Sequence, residues 1–147
     1  MGSHFKVIIP LIAIAAVMLV SGCTSPQTPI KDLAPEDVAV TFWSDIDTGS
    51  YQDAFQLAYH ADVNASQKDW VDERTARWGV DGSNIKIYKF KVVDTYDENS
   101  SMFDIGGSAM KVVDVNATIA YMGQNTTGPL KVLLINTTDG WKIFGNN

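Results

Sequence analysis

The chain has 147 residues, with 11 Lys plus Arg against 17 Asp plus Glu, a formal net charge of −6, one cysteine and two histidines. One cysteine forms no internal disulfide, and with two histidines it falls short of the ligand sets of a zinc finger or an iron–sulfur cluster. The negative balance works against a surface that neutralises nucleic-acid phosphates, and the length suits one domain.

An apolar block, Val7 to Val20, follows Lys6 and precedes the small residues Ser21 and Gly22. That order is the grammar of an export signal. The block is shorter than the roughly 20 residues that a helix needs to span the hydrocarbon core. Val20-Ser21-Gly22-Cys23 resembles the lipobox of prokaryotic lipoproteins. The resemblance implies removal of residues 1–22 and a diacylglyceryl group on Cys23, the lone cysteine. Buried acyl methylenes contribute about 0.8 kcal/mol each to membrane residence. The expected location is therefore the cell membrane, lipid-anchored, facing the extracytoplasmic side. Residues 23–33 contain Pro26 and Pro29 and little apolar matter, which predicts a flexible tether. The domain proper is expected over residues 34–147.

Pro35 suits a first helical position, with Glu36 and Asp37 stabilised by the helix dipole. Val38, Phe42 and Ile46, flanked by Ala39 and Trp43, make one apolar stripe that ends at Gly49. Ser50 and Asp53 have capping-box spacing and predict a second, short helix carrying Ala54, Phe55, Leu57 and Ala58. Ser66 and Asp69 repeat that spacing before a third helix, which runs through Trp70, Val71 and Trp78 to Gly79.

After Gly82 the periodicity changes. Segments 85–95, 110–121, 130–136 and 141–144 are rich in β-branched and aromatic residues and bounded by turn formers. Val113, Val115, Ala117, Ile119 and Tyr121 alternate with polar neighbours, which predicts one buried face. Asp139-Gly140 is a turn signal, and Gly106-Gly107 is read as another. Helices first and strands afterwards predict an α+β domain: three N-terminal helices packed on a curved four-stranded antiparallel sheet.

The segment APEDVAVTFWSDIDTGSYQDAFQLA resembles the opening of the nuclear transport factor 2-like superfamily, a cystatin-like cone. The closing segment KVLLINTTDGWKIFGNN is similar to its last two strands. The resemblance implies the cone fold over residues 34–145, made shallower by the short stretch between His60 and Ser66. It also implies that isomerase- and cyclase-like members work with a carboxylate and a Tyr or His inside the cone.

Asp94, Asp114, Tyr88, Tyr121 and His60 supply those residue types without a recognisable spacing. Alternation turns Asp114 away from the Val113/Val115 face, Asp94 precedes a loop, and His60 reads as a cap or surface residue, so no catalytic residue is assigned. Trp43, Trp70, Trp78 and Trp141, with Tyr59, Tyr88, Phe90 and Phe103, either form core or line an apolar pocket. Spacing accounts for most of them as core. Lys86, Lys89 and Lys91 read as a solvated edge. No phosphate loop, metal-ligand spacing or nucleophile elbow occurs, and neither metal nor cofactor is expected.

Five asparagines stand in Asn-x-Ser/Thr: Asn64, Asn99, Asn116, Asn125 and Asn136. Four are expected in loops or turns, where a glycan is tolerated, and Asn116 on the polar side of a strand. The overall expectation is an archaeal or bacterial extracytoplasmic lipoprotein, a non-enzymatic binding or protein-interaction module. Its partners would be the membrane and a small apolar ligand or protein, or a second copy, and no nucleic acid. A small isomerase- or cyclase-like enzyme and a structural subunit of an envelope complex are the alternatives.

Overall fold

The computed structural model describes residues 29–62, 64–99 and 108–146. Cys23, the export signal, Phe103 and Gly106-Gly107 lie outside the described residues.

Three helices precede the sheet: α1 (Pro35–Thr48), α2 (Tyr51–Leu57) and α3 (Gln67–Trp78). Short 3-10 turns, Ile30–Asp32 and Val80–Gly82, flank them. The sheet is an antiparallel meander in chain order, β1 (Ile85–Glu98), β2 (Met110–Tyr121), β3 (Gln124–Thr137) and β4 (Gly140–Asn146).

The α1 stripe lands where its spacing puts it: Val38, Ala39, Phe42, Trp43 and Ile46 are all buried against the sheet. On the sheet, Ile85, Val113, Val115, Val132 and Leu134 complete that core. Each fully buried side chain of this size contributes roughly 1.5–3 kcal/mol. A second, smaller cluster of Met110, Val112 and Leu133 occupies the opposite face, with Tyr96 and Phe144 against it. The sheet is therefore apolar on both faces at one end.

Helix ends follow local chemistry. Gly49 adopts φ +75 and closes α1, the left-handed conformation that glycine adopts without penalty. The Ser66 hydroxyl accepts a hydrogen bond from Asp69 N at 3.3 Å, as capping-box spacing requires. Ser50 departs from the same expectation: its side chain caps nothing and instead meets the Thr48 hydroxyl at 3.1 Å. Tyr51 OH donates to Gly79 O at 2.7 Å and ties α2 to the end of α3.

Where α1 passes α2, burial and then the nearby Asp53 raise the pKa of Asp45 from 3.8 to about 6. The folded-state value exceeds the unfolded one, so the native chain holds the proton across that interval. Stability is present in full below about pH 3.8 and falls as pH rises through about 6. Asp45 is partly solvated, and screening cuts the effect to on the order of 1 kcal/mol. Asp45→Asn should therefore raise the urea midpoint at pH 8 and leave it nearly unchanged at pH 4; equal gains at both pH values would count against this.

β1 differs from a simple alternation. Register shifts between Ile87 and Lys89 and between Val92 and Asp94 insert Tyr88 and Val93 as bulge residues, both exposed. Each bulge reverses the phase of the strand. Lys86, Lys89 and Lys91 consequently pair with Ala120, Thr118 and Asn116 along one face, and Phe90 and Val92 pair with Ala117 and Val115 along the core face.

β3 begins at Gln124, six residues before the segment its hydrophobicity marks. Met122 and Gly123, at φ 48 and 80, form the two-residue turn that joins it to β2. Gly128 and Pro129 lie in a stretch paired with β2 alone, because β4 joins β3 from Val132 onward. A proline lacks the N–H that a second neighbour would require, so this one-sided stretch tolerates it.

A candidate ligand cavity beneath the third helix

α3 carries an inward stripe, Trp70, Val71, Arg74, Thr75 and Trp78, at helical spacing, yet none of its residues is fully buried. Its principal contacts are with α2 and the Val80–Gly82 turn. It stands off the sheet, and the gap is a cavity of about 340 Å³. That volume falls in the range of small-molecule sites, about 300–1,000 Å³.

α1 contributes Phe42 and Trp43 to the wall, and α3 contributes Trp70, Arg74, Arg77 and Trp78. The sheet supplies Ile85, Ile119, Tyr121 and Ile143. Tyr59 follows α2, where Ala58 makes a parallel bridge with Ile143 and Tyr59 N donates to Ile143 O at 2.8 Å. Tyr121 OH donates to Arg77 O at 3.3 Å, fastening the end of α3 over the mouth.

Arg74 sits between two indoles, its guanidinium carbon 4.6 Å from the Trp70 ring centroid and 5.3 Å from that of Trp78. Such stacking stabilises a cation by about 0.5–2 kcal/mol. Glu73 Oε1 forms an ion pair with Arg74 Nη1 at 2.6 Å, while Arg74 Nε makes no hydrogen bond among the described residues. Trp43 Nε1 is likewise covered and without a partner there. Arg74 Nε and Trp43 Nε1 are both donors on cavity residues, buried without a hydrogen-bond partner among the described residues.

The residue types weighed for catalysis are dispersed. Asp94 and Asp114 pair across β1 and β2 on the face away from α1. Lys131 Nζ donates to Asp114 Oδ1 at 3.0 Å and to Tyr96 OH at 2.6 Å. These two hydrogen bonds, Tyr96's first, raise the lysine pKa. His60 stacks on Phe55 at 4.0 Å, and its Nε2 lies 3.0 Å from Phe55 O at the end of α2. Tyr88 is exposed on the β1 bulge. Tyr121 alone of that set lines the cavity.

Of the aromatic residues, Trp43 packs on Phe90 with centroids 6.2 Å apart while also facing the cavity. Trp141 packs on the core edge. Arg74 and Arg77 were not singled out by sequence, although the spacing Trp70-x-x-x-Arg74-x-x-x-Trp78 places one guanidinium between two rings on a single helix face.

All five sequon asparagines are exposed. Asn64 lies in a turn and Asn99 just beyond β1, whereas Asn125 belongs to β3, which starts earlier than expected, and Asn136 to the end of that strand, within the segment 130–136 read from the sequence. Among the described residues no helix is long and apolar enough to cross a membrane.

No protein-family model matches the chain, and no curated protein matches it. Solved structures resemble its fold. A SEC-C motif containing protein from Rhodopseudomonas palustris is 10% identical with a TM-score of 0.53, over 78% of this chain and 77% of that one. A nuclear transport factor 2-like protein of unknown function in nutrient uptake, from Rhodospirillum rubrum, is 14% identical with a TM-score of 0.48, over 78% and 95%. At these identities the likeness is one of fold: the chain is an α+β domain of three helices and a four-stranded antiparallel sheet.

Proposed function

We propose that the protein is a lipid-anchored extracytoplasmic binding protein whose nuclear transport factor 2-like domain holds a small, largely apolar ligand beneath α3. The observation that carries the binding reading is the aromatic-walled cavity of about 340 Å³. Flat indole rings supply large contact area at little entropic cost. Among the described residues the cavity wall carries no Asp, Glu or His, and Asp94 and Asp114 lie on the other face of the sheet. That placement favours binding over carboxylate-driven isomerisation.

Two experiments test the two halves of this reading. In the native host, Cys23→Ser should release the protein from the membrane fraction, and intact-mass analysis of the wild type should show a diacylglyceryl adduct on Cys23. Retention of the serine variant on the membrane would sink the anchor. For binding, 2-naphthamide should quench the tryptophan fluorescence of the wild type saturably, and Trp70→Leu should weaken it about tenfold. A linear, unsaturable response in the wild type would sink the cavity's role.

A further inference from the structure

Resting on the binding reading above, we infer that the ligand is an anion, a small aromatic carboxylate, whose charged end is taken by Arg74 while its ring lies among the indoles. The buried atoms Trp43 Nε1 and Arg74 Nε, which have no hydrogen-bond partner among the described residues, are both donors. An apolar ligand leaves them unsatisfied, and a ligand bearing donors worsens the mismatch; an acceptor group resolves it.

Charge points the same way. Among the described residues two cations, Arg74 and Arg77, line the cavity and no carboxylate does. Glu73 meets Arg74 with a side chain that is 65% exposed, so much of its charge is spent on solvent. A carboxylate inside the cavity meets the guanidinium at lower dielectric, where a charge-assisted hydrogen bond is strongest. The choice of an aromatic acid follows from the walls, which are rich in aromatic side chains, Phe42, Trp43, Tyr59, Trp70, Trp78 and Phe144.

The donor atoms are sealed from water in this conformation. Engaging them takes a small outward shift of α3 or a rotamer change at Arg74. The attachment of α3 to α2 and the Val80–Gly82 turn, more than to the sheet, permits that shift.

The test compares 2-naphthoate with its neutral isostere 2-naphthamide on the full-length protein in lipid nanodiscs, by equilibrium dialysis with empty discs as the blank. Wild type should bind the naphthoate at least tenfold more tightly. Arg74→Gln should abolish that preference, read as the ratio of the two affinities within the variant, and Arg74→Lys should restore part of it. Should Arg74→Gln fail to fold, the wild-type preference and its partial retention in Arg74→Lys serve as the readout. Equal binding of the two probes by wild type overturns the anion assignment and leaves the cavity reading standing. Binding of neither overturns both.

Discussion

Gly49→Ala is expected to destabilise the folded chain by about 3 kcal/mol or more, combining roughly 1–3 kcal/mol of backbone strain with about 1–3 kcal/mol of overpacking. Gly49 sits at φ +75, and a Cβ there would lie 2.3 Å from Asp81 Cα, 2.6 Å from Asp81 C and 2.8 Å from Gly82 N. All three are main-chain atoms, so no side-chain rotation relieves the clash. Gly82 returns the contact: a Cβ on it would lie 2.5 Å from Asp47 O. The end of α1 and the Val80–Gly82 turn therefore interlock through two glycines. Gly123→Ala is the control, since Gly123 shares the positive φ with nothing within 4 Å, and it should cost only about 1 kcal/mol. Urea unfolding at pH 7 measures both. Equal losses would mean that strain alone acts and that the interlock contributes nothing.

Leu134→Ala should cost about 3 kcal/mol by the same measurement, from lost burial and the cavity left behind. Leu134 is fully buried toward the C-terminal end of β3, paired with Lys111 on one side and Ile143 on the other. Val80, 66% exposed, supplies the contrast: its alanine variant should shift stability by no more than about 0.5 kcal/mol. With total stabilities of about 5–15 kcal/mol for domains of this kind, the leucine change removes a large share of the whole. A loss at Leu134 below about 1 kcal/mol would contradict the placement of the core.

Legibility in the sequence tracked how local each determinant is. α1 is visible because its stripe, its proline at the first position and its terminal glycine all act within one helix. α3 is visible for the same reasons, with a working serine cap. Ser50 shows the limit: it has the right spacing, but the turn between α1 and α2 is only two residues long, and its hydroxyl meets Thr48 instead of the next turn. The β1 bulges are hidden because a bulge is a property of a strand and its partner together. Strict alternation from Ile85 sets Lys89 and Lys91 on the core side, and only the extra residue Tyr88 turns them out. The start of β3 is hidden because Gln-Asn-Thr-Thr-Gly-Pro is loop composition; the β2 strand opposite holds it extended. The cavity, likewise, depends on how far α3 stands from the sheet, which no periodicity encodes. The spacing of Trp70, Arg74 and Trp78 was the available signal.

The borders of the sheet bear on how copies of this chain behave when crowded together. One margin, β4, is covered by the Ala58–Ile143 bridge. At the other, β1 is interrupted twice by its bulges and carries three lysines, and Asp47 Oδ1 accepts the Ile87 N–H at 2.7 Å. The uncovered part of β3 holds Pro129. Each device breaks the run of free main-chain groups that would otherwise template strand addition from a neighbour. Dense arrays of this protein should accordingly stay as separate particles instead of fusing into continuous ribbons.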